Sequence, residues 1–257
     1  MRVETDPERD EQEDLSGQMS FLDHLEELRK RILHSLIAVA VAFAITWTIR
    51  DTLFHIVSQP IRKTGAELIG TTLTAGFNLE LKLAVMAAIF LSAPFILGQV
   101  WLFIAPGLYK HERRYAMPFI LSSSVLFILG GLFGYFIAFP FATRFLVDWT
   151  TGMGLVPRIN APEYFDLFVM IELGLAVIFE IPALIFILAR IGLVNGPFLL
   201  RNTRYAVLIS FVVAAIITPT TDIANMMVMV VPMVALYMLG VLVAYVFGKK
   251  RTKEPGD

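Results

Sequence analysis

Five stretches of this chain contain no Asp, Glu, Lys or Arg: Ile32–Ile49, Leu83–Tyr109, Tyr115–Thr143, Tyr205–Thr221 and Ile223–Gly248. A sixth, Leu167–Ala189, is interrupted only by Glu172 and Glu180. A helix that crosses a hydrocarbon core about 30 Å thick needs about 20 apolar residues, within a range of about 17–25. A soluble fold buries one or two such runs. Six of them in 257 residues leave too little polar surface to cover the rest. The composition agrees: 57% of the residues are hydrophobic and 17% charged, against about 45–50% and about 25% in soluble domains. The pattern predicts an all-α integral membrane protein. Its spans are expected at about 32–49, 80–104, 117–140, 164–189, 204–217 and 223–247. The fifth is short, since its apolar part gives about 20 Å of helix; such a span thins the bilayer or packs against partners. Pro94, Pro140, Pro182 and Pro232 lie in or at the edges of spans, where proline kinks a helix. Several kinked helices wrap a concave cup rather than a straight bundle.

The charges that remain are unevenly placed. Residues 1–19 carry seven acids and two arginines and read as a disordered acidic tail. Residues 20–248 form the six-span domain, and 249–257 a basic tail. With the N-terminus on the cytoplasmic side and spans alternating, fifteen Lys and Arg fall on that side. Only Arg50, Arg62, Lys63, Lys82, Arg144 and Arg158 fall on the other. The positive-inside rule therefore places both termini in the cytoplasm. Trp47, Trp101 and Trp149 lie near span ends, where indole rings favour the interface. The overall net charge of -1 offers no basic field for nucleic acid. With no cysteine, disulfides, thiol catalysis and thiolate metal sites are excluded. No P-loop, GxSxG or Gly-rich nucleotide motif is present, so neither a cofactor nor nucleotide hydrolysis is expected.

Three segments invite a functional reading. Before the first span, Ser20–Arg31 reads SFLDHLEELRKR. Ser20 and Asp23 have capping-box spacing. Phe21, Leu25, Leu28 and Ile32 form an apolar stripe, and Glu26–Lys30 and Glu27–Arg31 are favourable i,i+4 pairs. Solvated charges on a membrane-surface helix would account for all of this. Between spans two and three, Phe103–Arg114 reads FIAPGLYKHERR. Tyr115 stands where a zinc-protease HExxH motif needs its second histidine, which removes that reading. Lys110, Arg113 and Arg114 suit a positive-inside anchor, whereas Glu112 adds nothing to one. In span four, a charge at mid-membrane costs at least about 2.5–3.5 kcal/mol. Glu172 and Glu180 must therefore face a cavity, a partner or a neighbouring span. Their spacing of eight residues puts them on one broad side of a helix. Gly130 and Gly134 are spaced for close helix approach.

HLEELRKR at His24–Arg31 and SAPFILGQVWLFIAPGLYKHERR at Ser92–Arg114 together resemble the TatC family. These are multi-spanning subunits of the twin-arginine protein translocase. FEIP at Phe179–Pro182, the serine run Ser122–Ser124 and the proline-bearing turn before Asp222 extend the likeness over about residues 19–248. The resemblance implies a receptor in the cell's inner membrane, not an enzyme. Its ligands are the twin-arginine signal peptides of folded cargo. Its partners are single-span proteins of the TatA and TatB type, in an oligomer set in membrane lipid, with transport driven by the proton-motive force. It implies that Glu27 and Glu112 recognise the arginine pair, with Arg29, Phe103 and Leu108 in or near the same site. Glu180 becomes the membrane-embedded polar residue, and Asp222, Asn225 and Met226 a partner-contact segment. Glu172, the TPTTD turn and Met226 depart from the family pattern, and Glu172 is assigned no role.

Physical chemistry fits the implication. A carboxylate meets the planar fork of a guanidinium bidentately, which an ammonium cannot reproduce. Nearby Arg and Lys repel a basic peptide, so geometry rather than bulk attraction has to select it. The competing reading is an ion-coupled small-molecule transporter with Glu172 and Glu180 as protonatable groups. That reading predicts a repeat between the halves of the chain, and none is visible.

Overall fold

Over the described residues each charge-free run is mostly helix, because inside a bilayer only internal hydrogen bonding can satisfy the backbone. The computed structural model describes residues 7–104, 116–218 and 222–248, with side chains from His24 onward. Ten α-helices and one two-stranded ribbon follow in order among these residues. They are α1 (Pro7–Thr48), α2 (Arg50–Arg62), β1 (Glu67–Ile69), α3 (Ala75–Ile104), α4 (Ala116–Phe133) and α5 (Phe139–Gly152). Then come β2 (Arg158–Asn160), α6 (Ala161–Ile178), α7 (Ile181–Arg190), α8 (Gly196–Arg201), α9 (Thr203–Ile217) and α10 (Ile223–Phe247).

Among the described residues, five helical segments are long and apolar enough to cross a membrane: His24–Thr48, Ala75–Ile104, Met117–Gly152, Ala161–Arg190 and Ile223–Phe247. The short fifth run forms α9, an apolar helix of 15 residues, about 22 Å long. Large apolar side chains cover the exterior, among them Leu36 (59% exposed), Val41 (60%) and Leu208 (61%). A soluble protein could not carry that surface.

The first helix starts at Pro7, well inside the stretch expected to be disordered. Pro7 is suited to a first helical position, and no proline follows it before Pro60. Ser20 therefore lies within α1 and does not begin a helix. The first span meets the rest mainly along α3. Ala42 and Thr46 are buried there, and the Thr46 hydroxyl donates to the Ala84 carbonyl at 2.7 Å.

Two prolines interrupt spans in different ways. Before Pro140, residues Gly134–Ala138 form a π turn, with Phe139 N–H donating to the Gly134 carbonyl. Pro140 has no N–H to continue the ladder, and the turn absorbs the mismatch. Before Pro182, the fourth span breaks between α6 and α7. The Pro182 nitrogen would otherwise bond the Ile178 carbonyl; instead Glu180 N–H makes a tight bond to Val177 at 3.1 Å. Pro94 and Pro232 lie inside continuous helices.

At the far end, where α1 closes and α3 opens, β1 pairs in parallel with β2, Leu68 opposite Ile159. This ribbon and the amphipathic α2, which buries Val57, Ser58 and Ile61, were not expected from the sequence. Tyr164 donates to the Val57 carbonyl at 3.0 Å, tying α2 to α6. The main core gathers Ile61, Leu83, Phe139, Phe165, Ile171 and Leu175, all nearly inaccessible.

Candidate functional site

Two places collect the polar groups that topology does not require. The first lies at the near end, between α1 and α3. His24, Glu27 and Arg31 are spaced 24, 27, 31 along α1 and share one helix face. Gln99 and Phe103 share a face of α3. The His24 and Phe103 rings stack at 4.6 Å with 28° between planes. Arg31 donates to Glu27 at 3.1 Å and across the junction to Gln99 Oε1 at 3.3 Å. The Glu27 and Arg31 side chains retain 29% and 24% of their accessibility, so the pair is part-buried at the α1–α3 junction. Arg29 is exposed on the same helix. The structure therefore brings Glu27 and Phe103 to one junction. Glu112 and Leu108 lie outside the described residues.

His24 and Gln99 lie in the segments that carry the family resemblance, yet neither stands out there as a site residue. Gln99 is buried, at 8% exposure, and an uncharged amide within an apolar run leaves no periodic signal. A buried amide in a span does demand a partner, which is the sign that could have found it.

The second place is the face of the third span toward α6 and α7. Glu180 stands at the break between those helices, 9% exposed. Ser122 and Ser124 hydroxyls donate back to their own helix, to Phe119 at 3.0 Å and Ile120 at 2.6 Å. Ser123 is fully buried, and its hydroxyl, like Glu180 Oε1, has no hydrogen-bond partner among the described residues. Eleven residues further along the third span, Gly134 faces Glu172, which is 3% exposed. A Cβ on Gly134 would lie 2.8 Å from Glu172 Oε1. Glu172 thus looks onto the third span, a neighbouring span being one of the surroundings expected for it. Glu172 Oε1 has no hydrogen-bond partner.

Asp222 and Asn225 form a cap. The Asp222 carboxylate accepts from the Asn225 backbone N–H and from its side-chain amide, each at 2.8 Å, opening α10. Asn225 is buried and Met226 half-buried.

Residues 23–232 match the family described as Sec-independent protein translocase protein (TatC). The chain belongs to the TatC family. A TatC of Koribacter versatilis is 45% identical over 249 residues, covering 95% of this chain and 91% of that one. The TatC of Escherichia coli K12 is 37% identical over 237 residues, covering 91% of each. A crystal structure of a twin-arginine translocase receptor TatC superposes with a TM-score of 0.75 at 32% identity, over 86% of this chain and 97% of the other. A second structure of such a receptor, in DDM, gives 0.78 at 32% identity. The TatC fold is thus a multi-span, all-α membrane fold in this chain too. As a TatC, it is a translocase subunit and not an enzyme, which decides between the two sequence readings against the small-molecule transporter.

Proposed function

We propose that this TatC family member is the receptor that binds twin-arginine signal peptides at the cytoplasmic face. With single-span TatA- and TatB-type partners it supports transport of folded proteins, driven by the proton-motive force. In this reading the six helical segments, α9 included, cross the inner membrane as a concave cup with both termini cytoplasmic. Glu27 and Glu112 accept the arginine pair, Phe103 and Leu108 support the apolar part of the signal, and Arg29 borders the site. Glu180 serves transport at mid-membrane. The Asp222–Met226 segment meets a partner, with Asn225 holding its shape.

The observation that carries the reading is the junction of α1 and α3. There a part-buried carboxylate, Glu27, lies one turn along α1 from His24, whose ring stacks on Phe103, one residue before the end of α3. The segment bearing Glu112 follows at once in the chain. A part-buried carboxylate discriminates a guanidinium from an ammonium better than an exposed one, because the fork replaces lost water contacts with two parallel hydrogen bonds.

The test is photo-crosslinking of a twin-arginine signal peptide to the membrane-inserted chain, beside its twin-lysine version. The wild type should capture the arginine form at least about tenfold better, the equivalent of about 1.4 kcal/mol. Glu27→Gln or Glu112→Gln should each remove most of that preference at normal protein level. An undiminished preference in the double variant would sink the assignment. Glu180→Ala should lower export of a twin-arginine reporter while leaving crosslinking intact.

A further inference from the structure

We propose that Arg31 is a resident placeholder in the guanidinium seat formed by Glu27 and Gln99, and that an arginine of the signal peptide displaces it. This rests on the reading of the α1–α3 junction as the signal-peptide site, and names what regulates it. The seat is defined by two acceptors on different helices, Glu27 Oε1 at 3.1 Å and Gln99 Oε1 at 3.3 Å from the Arg31 guanidinium. Two acceptors held on separate helices match a planar fork and would serve a single ammonium less well.

The resident group fits this seat poorly. Charge-assisted N–H···O bonds are typically about 2.7–2.9 Å, and both contacts here are longer. The Arg31 Nε is buried without a hydrogen-bond partner. The cause is the tether: Arg31 reaches Glu27 from one turn further along the same helix. Its side chain cannot slide to a bidentate approach. Such i,i+4 pairs are weak. An arginine arriving on another chain has no such constraint and can align its fork with the Glu27 carboxylate.

The arrangement has two consequences for recognition. With Arg31 in place, Glu27 is never a bare anion, so any basic peptide meets a neutralised seat. Lysine gains least, because it must evict a guanidinium while offering one point contact at a time. Gln99 becomes a further specificity-determining residue, as the second acceptor left waiting when Arg31 leaves.

The experiment measures the affinity of fluorescent twin-arginine and twin-lysine signal peptides for the purified full chain. Thermal melting of each variant serves as the folding control. Arg31→Gln should bind the twin-arginine peptide about two-fold tighter, the factor an i,i+4 pair withholds. Arg31→Lys, which keeps the charge and loses the fork, should also tighten binding, by a smaller factor. Gln99→Leu should weaken the twin-arginine peptide more than the twin-lysine one. Weaker or unchanged binding in Arg31→Gln overturns the proposal, since Arg31 would then be a support or a bystander. Arg31→Lys equal to wild type also overturns it, because net charge alone would explain the gain. A wild type indifferent between the two peptides refutes the receptor reading itself, and this proposal with it.

Discussion

Gly130 and Gly134 let the third span touch the fourth, and their neighbours differ in how far they can yield. A Cβ at Gly130 would meet the Ala176 Cα at 2.7 Å and the Leu175 carbonyl oxygen at 2.8 Å. Both are backbone and cannot move aside. At Gly134 the obstacle is the end of the Glu172 side chain, at 2.8–2.9 Å, which can rotate. Overpacking a tight interface costs about 1–3 kcal/mol. Gly130→Ala should therefore fall at the upper end of that range and Gly134→Ala at the lower, measured by thermal melting in detergent. Residues in contact do not behave additively, so Gly134→Ala with Glu172→Ala should cost less than the sum of the single changes. Strict additivity would mean that the carboxyl is not what Gly134 accommodates. The glycine spacing was legible in the sequence as a small-residue motif. That its second glycine makes room for an intramembrane acid was not, because residue spacing along one helix does not name the residue opposite.

At the scale of elements, the prolines decide where polar groups are presented. Pro182 denies the Ile178 carbonyl its usual donor, and the two-residue joint that results carries Glu180, buried at 9% exposure. Pro182→Ala supplies the missing N–H and lets α6 run into α7 without a break. Its expected stability change is small, within about 1 kcal/mol, since a gained hydrogen bond offsets lost fit. Export of a twin-arginine reporter should nevertheless fall several-fold, as Glu180 is carried away from its place. Wild-type export in a variant shown to be stable would separate the break from function. Long elements were legible because absence of charge over about 20 residues has one physical solution. The π turn was not: Pro140 announced a disturbance, but kink and π turn relieve the same missing N–H. The helix α2 and the β1–β2 ribbon escaped for another reason. They are short and mixed in composition, and their burial comes from elements distant in the chain, such as Tyr164 against Val57. Ser20 misled because a capping pattern says only that a helix can begin there, not that the preceding residues end one.

For the whole molecule, the distribution of charge sets a direction across the membrane. The bias of fifteen basic residues to six was legible in the sequence. At the far end Arg50 pairs with Glu80 at 3.0 Å and lies 5.1 Å over the Trp47 ring, and Lys82 pairs with Asp166. Two of the six opposing cations are thus matched by acids within reach. The near end leaves Arg29 exposed and carries Arg190, Arg201 and Arg204 at helix termini. The positive-inside rule predicts that the near end stays in the cytoplasm. The absence of cysteine makes this directly testable, because an introduced thiol is the sole thiol of this chain. Leu73, fully exposed at 104%, and Val156, at 83%, mark the far end, while Leu193, at 70%, marks the near one. In intact cells stripped of any outer barrier, a membrane-impermeant maleimide should label Leu73→Cys and Val156→Cys. Leu193→Cys should react only after the membrane is opened. The reverse pattern would invert the molecule, carry Glu27 away from every signal peptide made in the cytoplasm, and remove the receptor reading at its foundation.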